Sequence, residues 1–212
     1  ACWLVCDLAE IDGIRSRVRP WLAAAALFWS AMLLGLKYYP SGRWLWRKAY
    51  VKAVMGWSIL TSTWLAVVFC LSLPNGRFIL FLLVFLVAVA DIVAYFVGQK
   101  FGRHPLAPAI SPNKTWEGFW GGLLSVLMLS MLIGAALPPL YLYSGEISLI
   151  LLGISTAGAS VVGDLTISLI KREMGVKDSG SLLPGHGGLL DRLDSLCAAA
   201  PVFAVGLLLA GY

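Results

Sequence analysis

The side chains best suited to chemistry cluster in one stretch of an otherwise apolar chain, SLIKREMGVKDSGSLLPGHGGLLDRLDS at positions 168–195. Asp191 and Asp194 are three residues apart, which places both carboxylates on one face of a helix. Asp164 lies four residues before the stretch, inside an apolar run. Carboxylates of this kind suit Mg²⁺, which binds one or two carboxylates together with phosphate oxygens. We therefore predict a metal site formed by Asp164, Asp191 and Asp194.

The same stretch is rich in cations and glycines, which suit a phosphate ligand. Lysine and arginine bind phosphate through charge-assisted hydrogen bonds, and glycines let backbone N–H groups approach a ligand. Ser168 and Lys171 follow Asp164 by four and seven residues and so share its helical face. The alternative is a solvated loop whose charges are satisfied by ion pairs. These patterns predict a site that includes Ser168, Lys171, Arg172, Lys177, Gly187, Gly188 and Arg192.

A second cation lies in the segment KFGRHPLAPAISPNKTWEGFWGG at positions 100–122. Ser111 and Pro112 have the order of a helix N-cap followed by a first helical residue. Lys114 would then lie in the first helical turn, where a cation opposes the helix dipole. We expect an anion at that N-terminus, held by Lys114 and by free N–H groups. The alternative is a lysine that extends to lipid headgroups.

Two further observations concern acids within apolar runs. Asp91 and Asp164 are both flanked by apolar residues, and an acid in a membrane helix costs about 2.5–3.5 kcal/mol. Each therefore requires a polar partner or a polar cavity. A hydrogen bond between helices, or a proton relay in a transporter, would also explain them.

Composition indicates the elements that must position these residues. Of 212 residues, 59% are hydrophobic and 13% are charged, with a mean hydropathy of +0.85, whereas soluble domains have about 25% charged residues. The net charge is +5, and the basic residues lie in short loops between the apolar runs. A nucleic-acid-binding protein would instead have them spread along one soluble face. We predict an all-α, polytopic membrane helical bundle with five to six transmembrane helices. The apolar runs are 21–36, 53–73, 78–98, 119–137, 147–170 and 195–212.

The distribution of lysine and arginine predicts the orientation of the bundle. Loops 37–52, 99–118 and 171–194 contain twelve of these residues, and the alternate loops 74–77 and 138–146 contain one. Basic loops face the cytoplasm, so we expect the protein in the cytoplasmic membrane with its site facing the cytoplasm. Three arginines before the first run conflict with this, which means either that 21–36 does not cross fully or that upstream helices fix the orientation.

The organisation of the chain follows from these runs. We predict an N-terminal segment at 1–52, with a short apolar run and a basic loop, and a membrane-embedded catalytic domain at 53–212. The chain begins at Ala1 rather than at Met, so we expect a fragment or a processed form. Its start has acids and no basic segment, so no signal peptide is expected. Four cysteines show no pattern of a disulfide or a zinc site. No Walker A or G-x-G-x-x-G sequence is present, so no soluble nucleotide-binding domain is expected.

These residues resemble the signature of the phosphatidate cytidylyltransferase (CDP-diacylglycerol synthase) family. The stretch 168–195 has its order of Ser, two residues, Lys-Arg, four residues, Lys-Asp, then Pro-Gly-His-Gly-Gly and Asp-Arg-x-Asp. SPNKTWEG at 111–118 resembles a second motif, and GDLTIS at 163–168 resembles the acidic helix. The similarity extends from about Leu80 to the C-terminus.

The resemblance implies an enzyme that joins CTP to phosphatidic acid in the membrane, requires Mg²⁺ and forms a homodimer. It implies Asp164 and Asp191 as metal ligands, with Asp194 close by. The family has more N-terminal membrane helices than precede 53–73 here, so we expect an incomplete lipid-entry side. The predicted catalytic residues are Asp164, Lys171, Arg172, Lys177 and Asp191, and the resemblance adds Ser111, Lys114, Thr115, Asp178 and His186 as substrate-binding residues.

No general base is expected, because a phosphate monoester is already an anion near neutral pH; His186 would hold a phosphate or the loop. Three alternatives remain: a CTP-dependent polyisoprenol kinase, a transporter, and a lipid-headgroup transferase. The segment DGIRSR at 12–17 nearly matches the start of the transferase signature, D-G-x2-A-R, but has Ser16 in place of the alanine.

Overall fold

The computed structural model describes residues 2–41, 43–136, 146–180 and 187–211. Helices form wherever the apolar runs occur, because backbone groups in a bilayer must be satisfied within the segment itself. Within the described ranges, six helical segments are long and apolar enough to span a membrane, which confirms the all-α membrane fold. The helices are α1 (Cys2–Tyr38), α2 (Arg43–Trp46), α3 (Ala49–Ser72), α4 (Gly76–Phe101), α5 (Trp116–Ala136), α6 (Glu146–Glu173) and α7 (Leu190–Leu209).

A small hairpin between α4 and α5 differs from the predicted structure. Its strands, β1 (Pro105–Ala107) and β2 (Ser111–Thr115), pair antiparallel. The predicted helix start at Ser111 is therefore wrong, and Lys114 lies on a strand. The local reason is that Thr115 performs the capping role: its Oγ1 accepts a hydrogen bond from the Gly118 N–H at 3.2 Å, and α5 begins one residue after it.

The centre of the bundle is the contact between α6 and α7. Ala198, Ala199 and Ala200 on α7 are fully buried, and a Cβ at Gly163 on α6 would lie 2.6 Å from the backbone oxygen of Asp194. Small residues allow helices to approach closely. This close approach places the α6 residue Asp164 beside the first turns of α7.

Long-range contacts bring the three basic loops to one end of the bundle. The Tyr39 hydroxyl donates to Glu173 Oε1 at 2.7 Å, and Arg43 Nε donates to the same oxygen at 2.9 Å. Arg172 Nε donates to the Ile110 carbonyl of the hairpin at 3.4 Å. Burial and the neighbouring Glu173 carboxylate raise the pKa of Tyr39. The loops after α1, α4 and α6 therefore lie side by side.

The N-terminal helix is part of this packing. α1 contacts α3, α6 and α7, and the boundary predicted after residue 52 lies inside α3 (Ala49–Ser72). The division into two domains stays a prediction.

Candidate active site

A cavity of 650 Å³ lies where α4, α6, α7 and the hairpin meet, and we call it the acidic cavity. Four aspartates line it: Asp91 from α4, Asp164 from α6, and Asp191 and Asp194 from α7. Asp164 is nine residues before the end of α6, which is roughly 14 Å along the helix axis. The cavity therefore brings charged groups well inside a membrane-spanning bundle.

The hairpin contributes a cation to this cavity. Lys114 on β2 forms an ion pair with Asp164, and both side chains are about three-quarters buried. Ser168 Oγ donates to the other oxygen of Asp164 at 3.2 Å. The cation predicted from SPNKTWEG therefore reaches the cavity, although from a strand rather than from a helix N-terminus.

Asp164 also contacts a second carboxyl group. The carboxyl groups of Asp164 and Asp194 adjoin each other across the interface of α6 and α7. Asp91 interacts with the side chain of Ser195. The two lysines that form ion pairs at this cavity, Lys114 and Lys171, pair with Asp164 and Asp191 rather than with Asp91 or Asp194. Acidic groups therefore outnumber the cations that neutralise them.

Asp191 has a different environment. It accepts hydrogen bonds from Lys171 Nζ at 2.8 Å, from the Ser179 N–H at 2.8 Å and from the Gly188 N–H at 2.9 Å. The Ser179 hydroxyl adds a fourth at 3.0 Å. Gly187 has φ +78°, and a Cβ there would lie 2.8 Å from Asp191 Oδ2, so only glycine fits. Asp191 thus anchors the glycine-rich loop to α7.

The carboxylates of the acidic cavity provide part of a site for one divalent cation. Among the described residues, no group of three His, Cys, Asp or Glu side chains is arranged to hold a metal ion. Lys171 and the loop amides bind Asp191, and the metal site of Asp164, Asp191 and Asp194 stays a prediction. Asp164 and Asp194 still offer two adjoining carboxylates, which is the number that Mg²⁺ commonly uses alongside phosphate oxygens.

The predicted site residues fall into three groups. Lys114, Thr115, Asp164, Asp191 and Asp194 line the cavity. Ser168, Lys171 and Gly188 bind its aspartates. The others lie around the cavity: Ser111 begins β2, Gly187 lies beside Asp191, and Arg172 reaches the hairpin. Lys177, Asp178 and Arg192 are exposed at the same end of the bundle. His186 lies outside the described residues.

The site predicted from the sequence did not include Asp91 or Ser179. Asp91 was visible as a costly acid within an apolar helix, but its spacing gave no link to the distant motifs. Ser179 lies in the loop that Asp191 anchors, and no local pattern marks a hydroxyl that binds twelve residues away.

Comparison with known proteins agrees with this arrangement. The sequence profile of the Cytidylyltransferase family matches residues 5–210. Phosphatidate cytidylyltransferase of Pseudomonas aeruginosa is 40% identical over 207 residues, which cover 90% of this chain and 70% of that protein. The Haemophilus influenzae protein of the same name is 41% identical over 192 residues, covering 86% of this chain and 66% of that protein.

A plant protein shows similarity over a shorter region. Phosphatidate cytidylyltransferase 5, chloroplastic, of Arabidopsis thaliana is 48% identical over 110 residues, 51% of this chain and 26% of that protein. The chain spans about two thirds of the length of its two bacterial relatives. With nearly its whole length matched, and a membrane cavity that combines carboxylates with lysines, the chain belongs to the Cytidylyltransferase family.

Proposed function

We propose that this protein transfers the CMP group of CTP to phosphatidate, forming CDP-diacylglycerol and pyrophosphate. The observation that supports this most strongly is the acidic cavity, where Lys114 and four aspartates meet inside membrane-spanning helices. A substrate for such a cavity must combine phosphate groups with a lipid. The Pseudomonas aeruginosa and Haemophilus influenzae relatives are phosphatidate cytidylyltransferases by name.

The reaction requires one bond to form and one to break. A phosphate oxygen of phosphatidate attacks the α-phosphorus of CTP, and the bond from that phosphorus to the oxygen bridging to the β-phosphorus breaks. Pyrophosphate leaves with the bonding electrons. The attacking oxygen is already an anion, so no general base is needed, and catalysis consists of positioning and neutralisation of charge.

The lysines would bind the phosphates by exchanging partners. Lys114 and Lys171 are each paired with an aspartate of the site. An entering triphosphate competes for these ammonium groups, because charge-assisted hydrogen bonds to phosphate are strong. Arg172 and Lys177, at the same end of the bundle, would bind the remaining phosphate oxygens.

We further propose that Mg²⁺ is the cofactor. Asp164 and Asp194 would hold it, since their carboxyl groups adjoin each other. A bound Mg²⁺ supplies charge neutralisation and alignment of phosphoryl oxygens. Asp191 would keep the loop in place beside them.

The setting of the enzyme is also part of this proposal. The basic loops at the site end of the bundle are typical of a cytoplasmic face, so we place the reaction at the cytoplasmic side of the cytoplasmic membrane. We propose a homodimer on the basis of the family resemblance alone.

Labelled CTP tests the proposed reaction directly. Purified protein is incubated with phosphatidate, Mg²⁺ and CTP labelled at either the α or the γ phosphate. We expect the α label in lipid and the γ label in pyrophosphate. Label reaching lipid only from the γ position would mean that the protein is a kinase. If no label is transferred and the protein binds neither CTP nor phosphatidate, a transporter remains as the alternative.

A further inference from the structure

A second cavity, which we call the apolar cavity, adjoins the acidic cavity. It has a volume of 860 Å³ and is lined mostly by apolar side chains of α1, α6, α7 and the hairpin. That volume lies within the range of about 300–1,000 Å³ that ligand pockets occupy. Leu106, Phe119 and Val161 line both cavities, so the two share a wall. A ligand that reaches both must be charged at one end and apolar at the other.

One buried polar group of a residue that lines the apolar cavity has no hydrogen-bond partner in the part of the chain that the structure describes. Trp29 on α1 lines the cavity and is 3% exposed, and its indole nitrogen has no hydrogen-bond partner among the described residues. The indole N–H is a donor only. An unsatisfied donor at membrane depth is costly, so an acceptor on a bound ligand would satisfy it.

Two further features select the ligand. In the hydrocarbon region the acceptors that a lipid offers are its ester carbonyls, which lie between the phosphate and the acyl chains. Lys37, in the last turn of α1, also lines the apolar cavity and supplies a positive charge near the basic loops. An anionic, esterified lipid therefore matches the cavity in polarity, charge and hydrogen bonding.

We propose that the apolar cavity binds the diacylglycerol part of phosphatidate, with the Trp29 indole N–H donating to an ester carbonyl. This inference rests on the proposed function and names the part of the protein that recognises the lipid. The shared wall would place the phosphate of the lipid at the acidic cavity while its chains occupy the apolar one.

The hydrogen bond is tested by Trp29→Phe, which removes the N–H and keeps an aromatic ring. The substrates are diacyl phosphatidate and its dialkyl ether analogue, which lacks both carbonyls. Wild-type protein should show a KM for the ether analogue about 3–10-fold higher than for the ester, as expected for one net hydrogen bond. Trp29→Phe should raise the KM for the ester by that factor and abolish the difference.

Trp21→Phe is the matched control, because Trp21 lies on the same helix and is 61% exposed. It should keep the wild-type ratio. A Trp29→Phe protein that still distinguishes ester from ether, or that loses both substrates equally, would overturn the proposed contact.

The space itself is tested by Gly158→Leu. Gly158 lines the apolar cavity, and a Cβ there would meet no atom within 4 Å, so a larger side chain starts in open space and extends into the cavity. We expect the KM for dioleoyl phosphatidate to rise at least about tenfold, with a smaller change for dibutanoyl phosphatidate and none for CTP. Gly56→Leu is the control, since Gly56 on α3 also has open space around it.

Wild-type protein provides a test that does not depend on the folding of variants. Phosphatidate with a diazirine near the end of an acyl chain is irradiated on the purified protein, and labelled peptides are identified by mass spectrometry. Labels at Ala26, Val162 or Val202, which line the apolar cavity, support the proposal. Labels confined to outward-facing residues such as Leu60 and Trp64 would overturn it. In that case the cavity holds water, a protein segment or nothing, and not the lipid.

These outcomes separate the two hypotheses. If wild-type protein forms no cytidylyl lipid, the proposed reaction fails, and the pattern of labelling still decides whether the lipid occupies the cavity. If the reaction proceeds while both variants and the labelling show no preference for the cavity, only the lipid-binding inference fails.

Discussion

Asp191 and the pair formed by Asp164 and Asp194 line the same cavity, but their surroundings differ. Asp191 accepts four hydrogen bonds, one of them from Lys171. Asp164 and Asp194 contact each other, and the one ion pair between them and a described residue is that of Asp164 with Lys114. The first carboxylate is satisfied by the protein, and the pair is satisfied only in part.

This difference separates two roles that the sequence does not distinguish. A carboxylate with a full set of donors stabilises the structure around it, whereas two adjoining carboxylates repel each other unless a cation lies between them. Asp191 should therefore matter for the position of the loop and for folding. Asp164 and Asp194 should matter for binding a cation and for turnover.

The largest expected effect comes from Asp164→Asn. Loss of one carboxylate of the pair should lower kcat about a thousandfold, the size of effect seen when a main electrostatic contact is removed. Thermal stability in detergent should change little, since relief of the repulsion between the acids offsets the loss of the ion pair with Lys114. Transfer of α-labelled CTP and a melting curve measure both. Thr166→Val on the same helix, where the hydroxyl bonds only its own helix, should keep most activity; a fully active Asp164→Asn would remove the residue from the site.

Asp191→Asn should lower stability as well as activity. Removing a charged acceptor from several donors typically lowers the free energy of unfolding by about 2–3 kcal/mol. It also leaves Lys171, whose side chain is only 15% exposed, without its counter-charge. We expect a lower melting temperature and faster proteolysis in the loop between α6 and α7. Ser179→Ala removes only part of this network and should have a smaller effect in the same direction. If Asp191→Asn loses activity with stability and proteolysis unchanged, Asp191 acts directly on substrate or metal.

Mg²⁺ should raise the melting temperature of the wild-type protein by several degrees. A ligand at one hundred times its Kd stabilises the folded state by about 2.7 kcal/mol. Asp194→Asn should lose most of this shift, and Asp191→Asn should keep part of it. Ca²⁺ and K⁺ serve as comparison ions. An equal shift in wild type and Asp194→Asn would mean that the ion binds elsewhere.

The helices were predictable from the sequence because their cause is local. Each predicted apolar run overlaps one of the six membrane-spanning segments, since a bilayer leaves few alternatives to a helix for a long apolar run. The motif residues Lys114, Asp164, Asp191 and Asp194 also meet in one cavity, as their residue types indicated.

The remaining features depend on contacts between distant residues. The hairpin at Ser111 was missed because Ser-Pro suits either a helix start or an extended strand, and the Trp116 N–H bonds the His104 carbonyl, which fixes the outcome. The satisfaction of Asp191 by Ser179 and Gly188 depends on how the loop closes. Spacing alone predicts that carboxylates share a helix face, and it does not predict which of them already has donors.

The smallest expected effect concerns Tyr39, which lies outside the acidic cavity and holds the loop after α1 against α6. Tyr39→Phe removes a hydrogen bond to Glu173, which remains paired with Arg43, so the cost should be about 0.5–1.5 kcal/mol, with the KM for CTP nearly unchanged. Burial and the Glu173 carboxylate raise the pKa of Tyr39 above its ordinary value. The contribution of the hydroxyl is therefore present at neutral pH and lost as the pH rises above about 10. Melting temperatures of wild type and Tyr39→Phe should differ at pH 8, and the difference should shrink as the pH rises above about 10. Tyr38→Phe, at a residue that is 64% exposed, should match wild type throughout. A difference that does not shrink at high pH would mean that the Tyr39 hydroxyl does not stabilise this end of the bundle by donating its proton to Glu173.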